Sequence, residues 1–326
     1  MTETADDPAD RDLLTPAGPE HDAGGGARPW ARLESRRWVV GDAGRQAAVR
    51  ARVPRMFRTP PPDVVADGAE AGALTFRAAS VRGLGHQERG EPRQDAYAVR
   101  FTRDQRWLAG CVADGVSAAK RSHEAAGMIC ETVAQSLVDH LMTGRPVPEF
   151  RWDAAVRAAG DAVTELARPF LPDGPVTYSQ VRPIMSATAL AFAVETEPSP
   201  AGAHRAVLAN LAGDSAAFVL TGGDGGWRPL TAVKNDGAAI VDSRVRSLPA
   251  EADVTAHEFT LLPGQVLVVM TDGLGDPFGS GAGAVGDFLR SRWVTPPDPL
   301  AFAQQVAFFR KSFTDDRTAV VVWPAR

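Results

Sequence analysis

The sequence predicts an α+β fold, a layered domain with an extensive antiparallel sheet and helices on its faces. Two observations carry that prediction. Short apolar runs of strand length come first, two long helical patterns follow, then more strands, then short helices; this order suits layers of sheet and helix. The 326 residues are 44% hydrophobic, 23% charged and 7% aromatic, ordinary for a globular chain, so wholesale disorder is excluded. There is no internal repeat.

The elements follow in order. Residues 1–29 are rich in Asp, Pro, Gly and Ala and cannot bury enough apolar surface to offset ordering, so they read as a disordered acidic tail. Residues 30–72 are an Arg-rich linker or a docking segment for an acidic partner, with Trp30, Trp38, Val39 and Val40 interspersed. Pro60-Pro61-Pro62 is a stiff break and Gly68 to Gly72 a loose one, which starts the folded domain near Leu74, within 73–326. Strands are expected over 74–81, 96–101 and 107–113. A helix is expected over 122–142, where Ala126, Ile129, Val133, Leu137 and Leu141 keep helical spacing and Gly144 and Pro146 stop it. A second covers 153–170, with Asp153 as N-cap and Pro172 as its end. Strands over 187–194, 205–211, 216–220, 254–261 and 266–270 come next, with Gly222 to Gly226 as a hairpin turn. Helices over 284–290 and 299–313 and a strand over 318–323 complete the chain.

Several function classes are disfavoured. A net charge of -5 argues against a general nucleic-acid binder. No apolar run reaches the roughly 18 residues of a membrane helix, and the acidic start is unlike a signal peptide. Cys111 and Cys130 form no C-x-x-C pair, and both fall on apolar stretches that read as core. The expectation is a cytoplasmic monomer. Ser215 lacks the Gly-x-Ser-x-Gly elbow of a serine hydrolase, and no phosphate-binding Gly-x-x-x-x-Gly-Lys loop is present.

The informative feature is the placing of aspartates. Apolar runs end in Asp114-Gly115, in Gly213-Asp214-Ser215 and in Asp272-Gly273; Asp315-Asp316 precedes the last strand, and Asp95 opens another. Each alone reads as a turn. Together, strand ends at one edge of a sheet would gather carboxylates that repel unless cations neutralise them. Oxygen ligands without a His or Cys cluster favour Mg²⁺ or Mn²⁺ over zinc. Two such ions about 4 Å apart would activate a water for phosphoryl transfer.

These residues carry a resemblance. Gly90-Glu-Pro-Arg-Gln-Asp-Ala-Tyr97, Val112-Ala-Asp-Gly115, Ser186-Ala-Thr-Ala-Leu190, Ala212-Gly-Asp-Ser215, Leu262-Pro-Gly-Gln-Val266, Met270-Thr-Asp-Gly-Leu274 and Asp315-Asp-Arg-Thr318 run in the order of the metal-dependent Ser/Thr protein phosphatases of type 2C, the PPM family. The chain resembles a bacterial branch of that family from about Leu74 to Trp323. The resemblance implies a four-layer α-β-β-α sandwich of two antiparallel sheets flanked by helices, with metals in a cleft at one end. It implies that Asp114 bridges two Mn²⁺ or Mg²⁺ ions, with the Gly115 carbonyl on the second, and that Asp272 and Asp315 complete the first. Asp95 would orient water beside the ions, and Asp214 with Asp272 would hold a third, weaker ion.

The implied activity is hydrolysis of phosphoserine or phosphothreonine in a protein, such as a Ser/Thr kinase or its target. The alternatives are a pseudophosphatase that binds a phosphoprotein or regulatory partner without turnover, and a phosphatase of small esters. The chain departs from the family pattern at Val116, where some members have His, at Ser117-Ala118, at Gln94, and at Asp316, where Asn is usual. For the substrate phosphate, Arg89 is favoured over Arg93 and Arg82. His86 reads as an exposed loop residue or, alternatively, as a phosphate contact or the missing general acid. His123 reads as a surface group, and Lys234 and Asn235 as neighbours of the entrance.

Overall fold

The computed structural model describes residues 30–32, 37–54, 56, 59–222, 225–232, 246–251 and 254–325. The acidic tail, part of the Arg-rich segment, and Lys234 and Asn235 lie outside the described residues. The strands are β1 (Trp30–Arg32), β2 (Trp38–Val40), β3 (Val64–Ala71), β4 (Leu74–Val81), β5 (Ala96–Phe101), β6 (Trp107–Ala113), β7 (Ala189–Glu195), β8 (His204–Ala212), β9 (Ala216–Leu220), β10 (Trp227–Pro229), β11 (Ala256–Leu261), β12 (Val266–Met270) and β13 (Arg317–Pro324). The helices are α1 (Leu84–Arg89), α2 (Ser122–Met142), α3 (Trp152–Ala167), α4 (Tyr178–Val181), α5 (Asp272–Phe278), α6 (Ala284–Trp293) and α7 (Pro299–Val306).

A six-stranded sheet has the order β10-β9-β12-β13-β4-β3, and a five-stranded sheet the order β11-β8-β7-β6-β5. Every strand pair in both is antiparallel. Three apolar clusters define four layers. One lies between the sheets, around Phe76, Leu108, Leu190, Phe192, Val320 and Val322. A second seals α2 and α3 against the five-stranded sheet, and a third seals α5, α6 and α7 against the six-stranded one.

Period-2 alternation sorts the strands' side chains between these layers. On β7, Leu190, Phe192 and Val194 face the other sheet, while Ala189, Ala191 and Ala193 face the helices. On β6, Ala109, Cys111 and Ala113 share that helix-facing side with Ile129 and Val133 of α2. Small residues there let α2 lie close, and the inter-sheet face receives the large ones. Strands buried on both faces therefore read as unbroken apolar runs. Cys111 and Cys130 are both buried and form no disulfide.

Three expectations are corrected. The six-stranded sheet begins at Val64, not near Leu74: β3 pairs along its whole length with β4, and polar Asp67 and Glu70 on this edge strand had masked it. The N-cap of α3 is Arg151, while Asp153 sits in the first turn and binds Arg151 and Arg157. The last predicted helix stops at Val306, and the chain to Asp316 becomes a loop. Among the described residues, α1 and α5 are short helices that the apolar spacing does not announce; α5 contains glycines and Pro277.

Candidate metal centre and active site

Both sheets contribute to one polar edge. Asp95 precedes β5 and Asp114 follows β6 in the five-stranded sheet. Asp272 follows β12, and Asp315 and Asp316 precede β13, in the six-stranded sheet. The strand ends fix these positions. The Asp114 N–H donates to Thr188 Oγ1 at 3.0 Å, and its carbonyl accepts from the Thr188 N–H at 2.7 Å. Thr271, the N-cap of α5, donates its hydroxyl to Asp95 Oδ2 at 2.7 Å and accepts from the Thr318 N–H at 3.0 Å. One threonine thus joins β13 to a carboxylate of the opposite sheet.

Glycines make the close approaches. A Cβ on Gly273 would lie 1.8 Å from the Asp316 carbonyl oxygen, and one on Gly83 would lie 2.2 Å from the Asp315 carbonyl carbon. Only a bare backbone lets α5 and α1 lie this near the loop that carries the two acids.

The carboxylates act strongly on one another. Burial, then the charge of Asp316, pushes the Asp95 carboxyl up to about 8, against which the Thr271 hydroxyl bond works. Burial likewise holds the Asp114 carboxyl well above the usual range, helped by the charges of Asp95, Asp272 and Asp315 and by a hydrogen bond with Asp95. Acids from distant parts of the chain therefore lie near enough to act on one another. Asp214, half-buried in the turn between β8 and β9, is not among the principal carboxylates acting on Asp95 or Asp114. Gly115 is buried and bridges to Ala187.

Asp316 has a different task. It is buried and accepts from Gly83 N–H at 2.5 Å, from Gln94 N–H at 2.5 Å, from Asp95 N–H at 3.3 Å, and pairs with His86 Nδ1 at 2.8 Å. His86 is thus not an exposed loop residue. It is buried on α1, and although burial alone would lower its pKa, the bond and charge of Asp316 outweigh it, so the imidazole sits above its ordinary value. His86, Asp315 and Asp316 bring ligand-type atoms within 4.8 Å of one another. The oxygens of Asp316 are nevertheless engaged by backbone N–H groups, which makes Asp316 an organiser of the loop.

A cleft of about 330 Å³ opens beside these acids, lined by His86, Arg89, Ser117, Asp272, Asp276 and Asp315 among others. It separates the three arginines that the sequence left open. Arg93 is buried and committed to Pro62 O, Ser80 Oγ and Asp95 O. Arg82 is buried and committed to Asp63, Arg52 O and His86 O. Arg89 is the one that lines the cleft; it is half-exposed and paired with Glu91 at 2.7 Å. His123 is half-buried, 3.5 Å from Glu124, rather than a surface group.

The donor set suits hard divalent cations. It consists of carboxylate oxygens; Arg93, the cation whose charge Asp95 favours, directs its N–H groups to Pro62 O, Ser80 Oγ and the Asp95 carbonyl. Carboxyls crowded in this way need either shared protons or a cation among them. Sequence reasoning missed Asp276, Thr271 and the loop residues Ser312 to Thr314. Only Asp276 left a signal: it follows Asp272 by one helical turn, so both acids share a helix face.

A family model described as protein phosphatase 2C matches residues 82–305. The match takes in Asp95, Asp114, Asp214 and Asp272 and ends before Asp315. No curated protein matches. Among solved structures, a serine/threonine phosphatase of S. agalactiae is 14% identical with a TM-score of 0.50, over 80% of this chain and 99% of that one. A phosphatase from Toxoplasma gondii is 16% identical with a TM-score of 0.50, over 80% and 96%. The catalytic domain of the serine/threonine protein phosphatase PstP, in complex with two manganese ions, is 21% identical with a TM-score of 0.48, over 78% and 99%. At these identities the likeness concerns the fold.

Proposed function

The chain belongs to the protein phosphatase 2C family, and on that premise we propose that it is a metal-dependent phosphatase of phosphoserine and phosphothreonine in proteins. The observation that carries this reading is the meeting of Asp95, Asp114, Asp272 and Asp315, drawn from both sheets, beside a polar cleft. Asp114, the Gly115 carbonyl, Asp272 and Asp315 would hold two Mn²⁺ or Mg²⁺ ions, and Asp214 with Asp272 a third. Bound there, the ions supply the positive charge that lets a water ionise near neutral pH and that offsets charge on the phosphoryl oxygens.

The chain's own groups do the rest. Asp95, held by Thr271, orients the attacking water by accepting its proton-bearing side. Arg89 reaches the cleft, where its planar guanidinium can leave Glu91 for two oxygens of the phosphate. The His86 imidazole, kept protonated more readily by Asp316, stands at the same wall to donate a proton to the departing serine or threonine oxygen. Val116 leaves no histidine after the Asp-Gly step to compete for that role. The substrate class includes a Ser/Thr kinase or its target.

The test is hydrolysis of a phosphothreonine peptide with Mn²⁺ present, comparing wild type with Asp114→Ala and Asp272→Asn. Turnover that both substitutions abolish supports the reading. Turnover that survives both rejects the site, and metal uptake without turnover on varied phosphopeptides identifies a pseudophosphatase. A panel of small phosphate esters, ranked by kcat/KM, separates the small-molecule alternative.

A further inference from the structure

The segment ahead of the family match packs on two elements that wall the cleft. Both it and the loop after α7 fall outside residues 82–305, and the two hold each other. The Phe309 N–H donates to Trp38 O at 2.6 Å, and the Val40 N–H donates to Phe309 O at 2.9 Å. The Lys311 N–H donates to Asp42 O at 2.7 Å, and Lys311 Nζ pairs with the Asp42 carboxylate at 3.2 Å. Gln46 goes furthest. Its side chain is buried; Oε1 accepts from the Arg310 N–H at 2.8 Å, and Nε2 donates to the carbonyls of Arg310 and Phe313. Farther along, the Arg52 N–H donates to Gln87 O on α1 at 2.8 Å, and Arg52 O accepts from Arg82 Nη2 at 2.8 Å.

These contacts reach both walls of the cleft. One wall is α1, with His86 and Arg89; the other is the stretch Ser312 to Asp315. The second wall has no regular secondary structure of its own to satisfy its backbone, and Ser312 stands there at φ 69, a conformation uncommon for a residue with a side chain. Gln46 supplies what a neighbouring strand would otherwise supply. The segment is anchored independently: Val40 is in the core behind the six-stranded sheet, and Trp38 packs on Phe288 with ring centroids 5.5 Å apart.

We infer that residues 38–52 form a strap that sets the spacing of the cleft walls, with Gln46 as a positioning residue for the loop that presents Asp315. The inference rests on the metal-centre reading above. It makes the strap part of the functional unit, acting on metal affinity through the loop without touching substrate.

The experiment uses the full chain. Gln46→Ala and Asp42→Ala are compared with wild type and with Arg45→Ala, an exposed neighbour on the same 3-10 turn. Three quantities are read: Mn²⁺ affinity by calorimetry, hydrogen exchange over 308–316 and 84–90 without metal, and kcat and KM on a phosphothreonine peptide. The strap predicts about a tenfold loss of Mn²⁺ affinity for Gln46→Ala, as for other groups that orient metal ligands. It further predicts faster exchange in the loop, a lower kcat with KM little changed, and no effect of Arg45→Ala. A merely stabilising role would lower the melting temperature and leave the affinity of the folded protein intact, which overturns the inference. Should Gln46→Ala not fold, Asp42→Ala, at an exposed position, decides the same comparison with a smaller effect. Wild type that takes up no Mn²⁺ overturns the metal-centre reading and the strap with it. Wild type that binds Mn²⁺, with both variants equal to it in affinity and exchange, overturns the strap alone.

Discussion

Replacing Asp316 by asparagine should harm this protein. The carboxylate accepts from three backbone N–H groups and from His86, two partners on each oxygen. Asparagine keeps one oxygen and turns the other into a donor. If the amide nitrogen faces His86, the imidazole can change tautomer and accept, but the Gly83 N–H then meets another donor. If it faces the other way, Gln94 and Asp95 N–H both lose their acceptor. The milder arrangement strands one buried N–H, worth about 1–3 kcal/mol. Removing the charge also relieves Asp95, which it raises, and so offsets part of that loss. The net expectation for metal-free protein is about 1–2 kcal/mol of destabilisation, read from urea denaturation in EDTA. The His86 pKa should fall, because burial remains while the bond and charge that outweighed it are gone. A folded-state pKa raised above its unfolded value adds stability below the unfolded value, which is lost as pH climbs through the folded one. The gap between wild type and variant should therefore be wider at pH 5 than at pH 8. An unchanged urea midpoint together with an unchanged His86 titration by NMR would refute the account of Asp316.

Other expectations follow from the same geometry. Asp95 and Asp114 both have raised carboxyls, so metal-free stability should decline as pH rises from the ordinary carboxylate range through about 8; with saturating Mn²⁺, which requires the ionised forms, the melting temperature should instead rise over that interval. Thr271→Val removes the hydroxyl that steadies ionised Asp95 and should weaken Mn²⁺ binding at pH 7 by about tenfold in calorimetry, with far-UV dichroism unchanged. Gly273→Ala places a methyl group 1.8 Å from the Asp316 carbonyl oxygen; the loop must move, and phosphopeptide turnover should fall by more than the melting temperature implies. Phe192→Ala, at a fully buried position between the sheets, should cost about 3–5 kcal/mol in urea denaturation while leaving metal affinity in the folded protein alone.

Strands such as β7, β9, β12 and β13 were legible because each carries an unbroken run of five or more apolar residues. The helix 122–142 was legible because its buried stripe and its Gly144-Pro146 stop agree. Elements that answer to the site were harder to see. The short α5 holds two glycines and a proline, a composition that ordinary helices avoid, because its backbone must pass against Asp315 and Asp316. The predicted helix over 299–313 overran because Phe308, Phe309 and Phe313 prolong the apolar pattern, although Phe309 pairs with the strap. The aspartates at strand ends could be proposed as a group, since sheet edges gather distant positions. Whether Arg82, Arg89 or Arg93 reaches the cleft depends on burial, which spacing does not encode. His86 similarly looked exposed, because nothing local announces that Asp316 will meet it from more than two hundred residues away.

The acids sit on opposite halves of the sandwich, and this gives bound cations a mechanical consequence. An ion held, as proposed, by Asp114 on one side and by Asp272 and Asp315 on the other would act as a stitch across the seam where the two sheets meet. Any sliding of the sheets against each other would stretch it. Loading the centre should therefore stiffen the edge of the sandwich where β6, β12 and β13 end, and emptying it should leave that edge free to open.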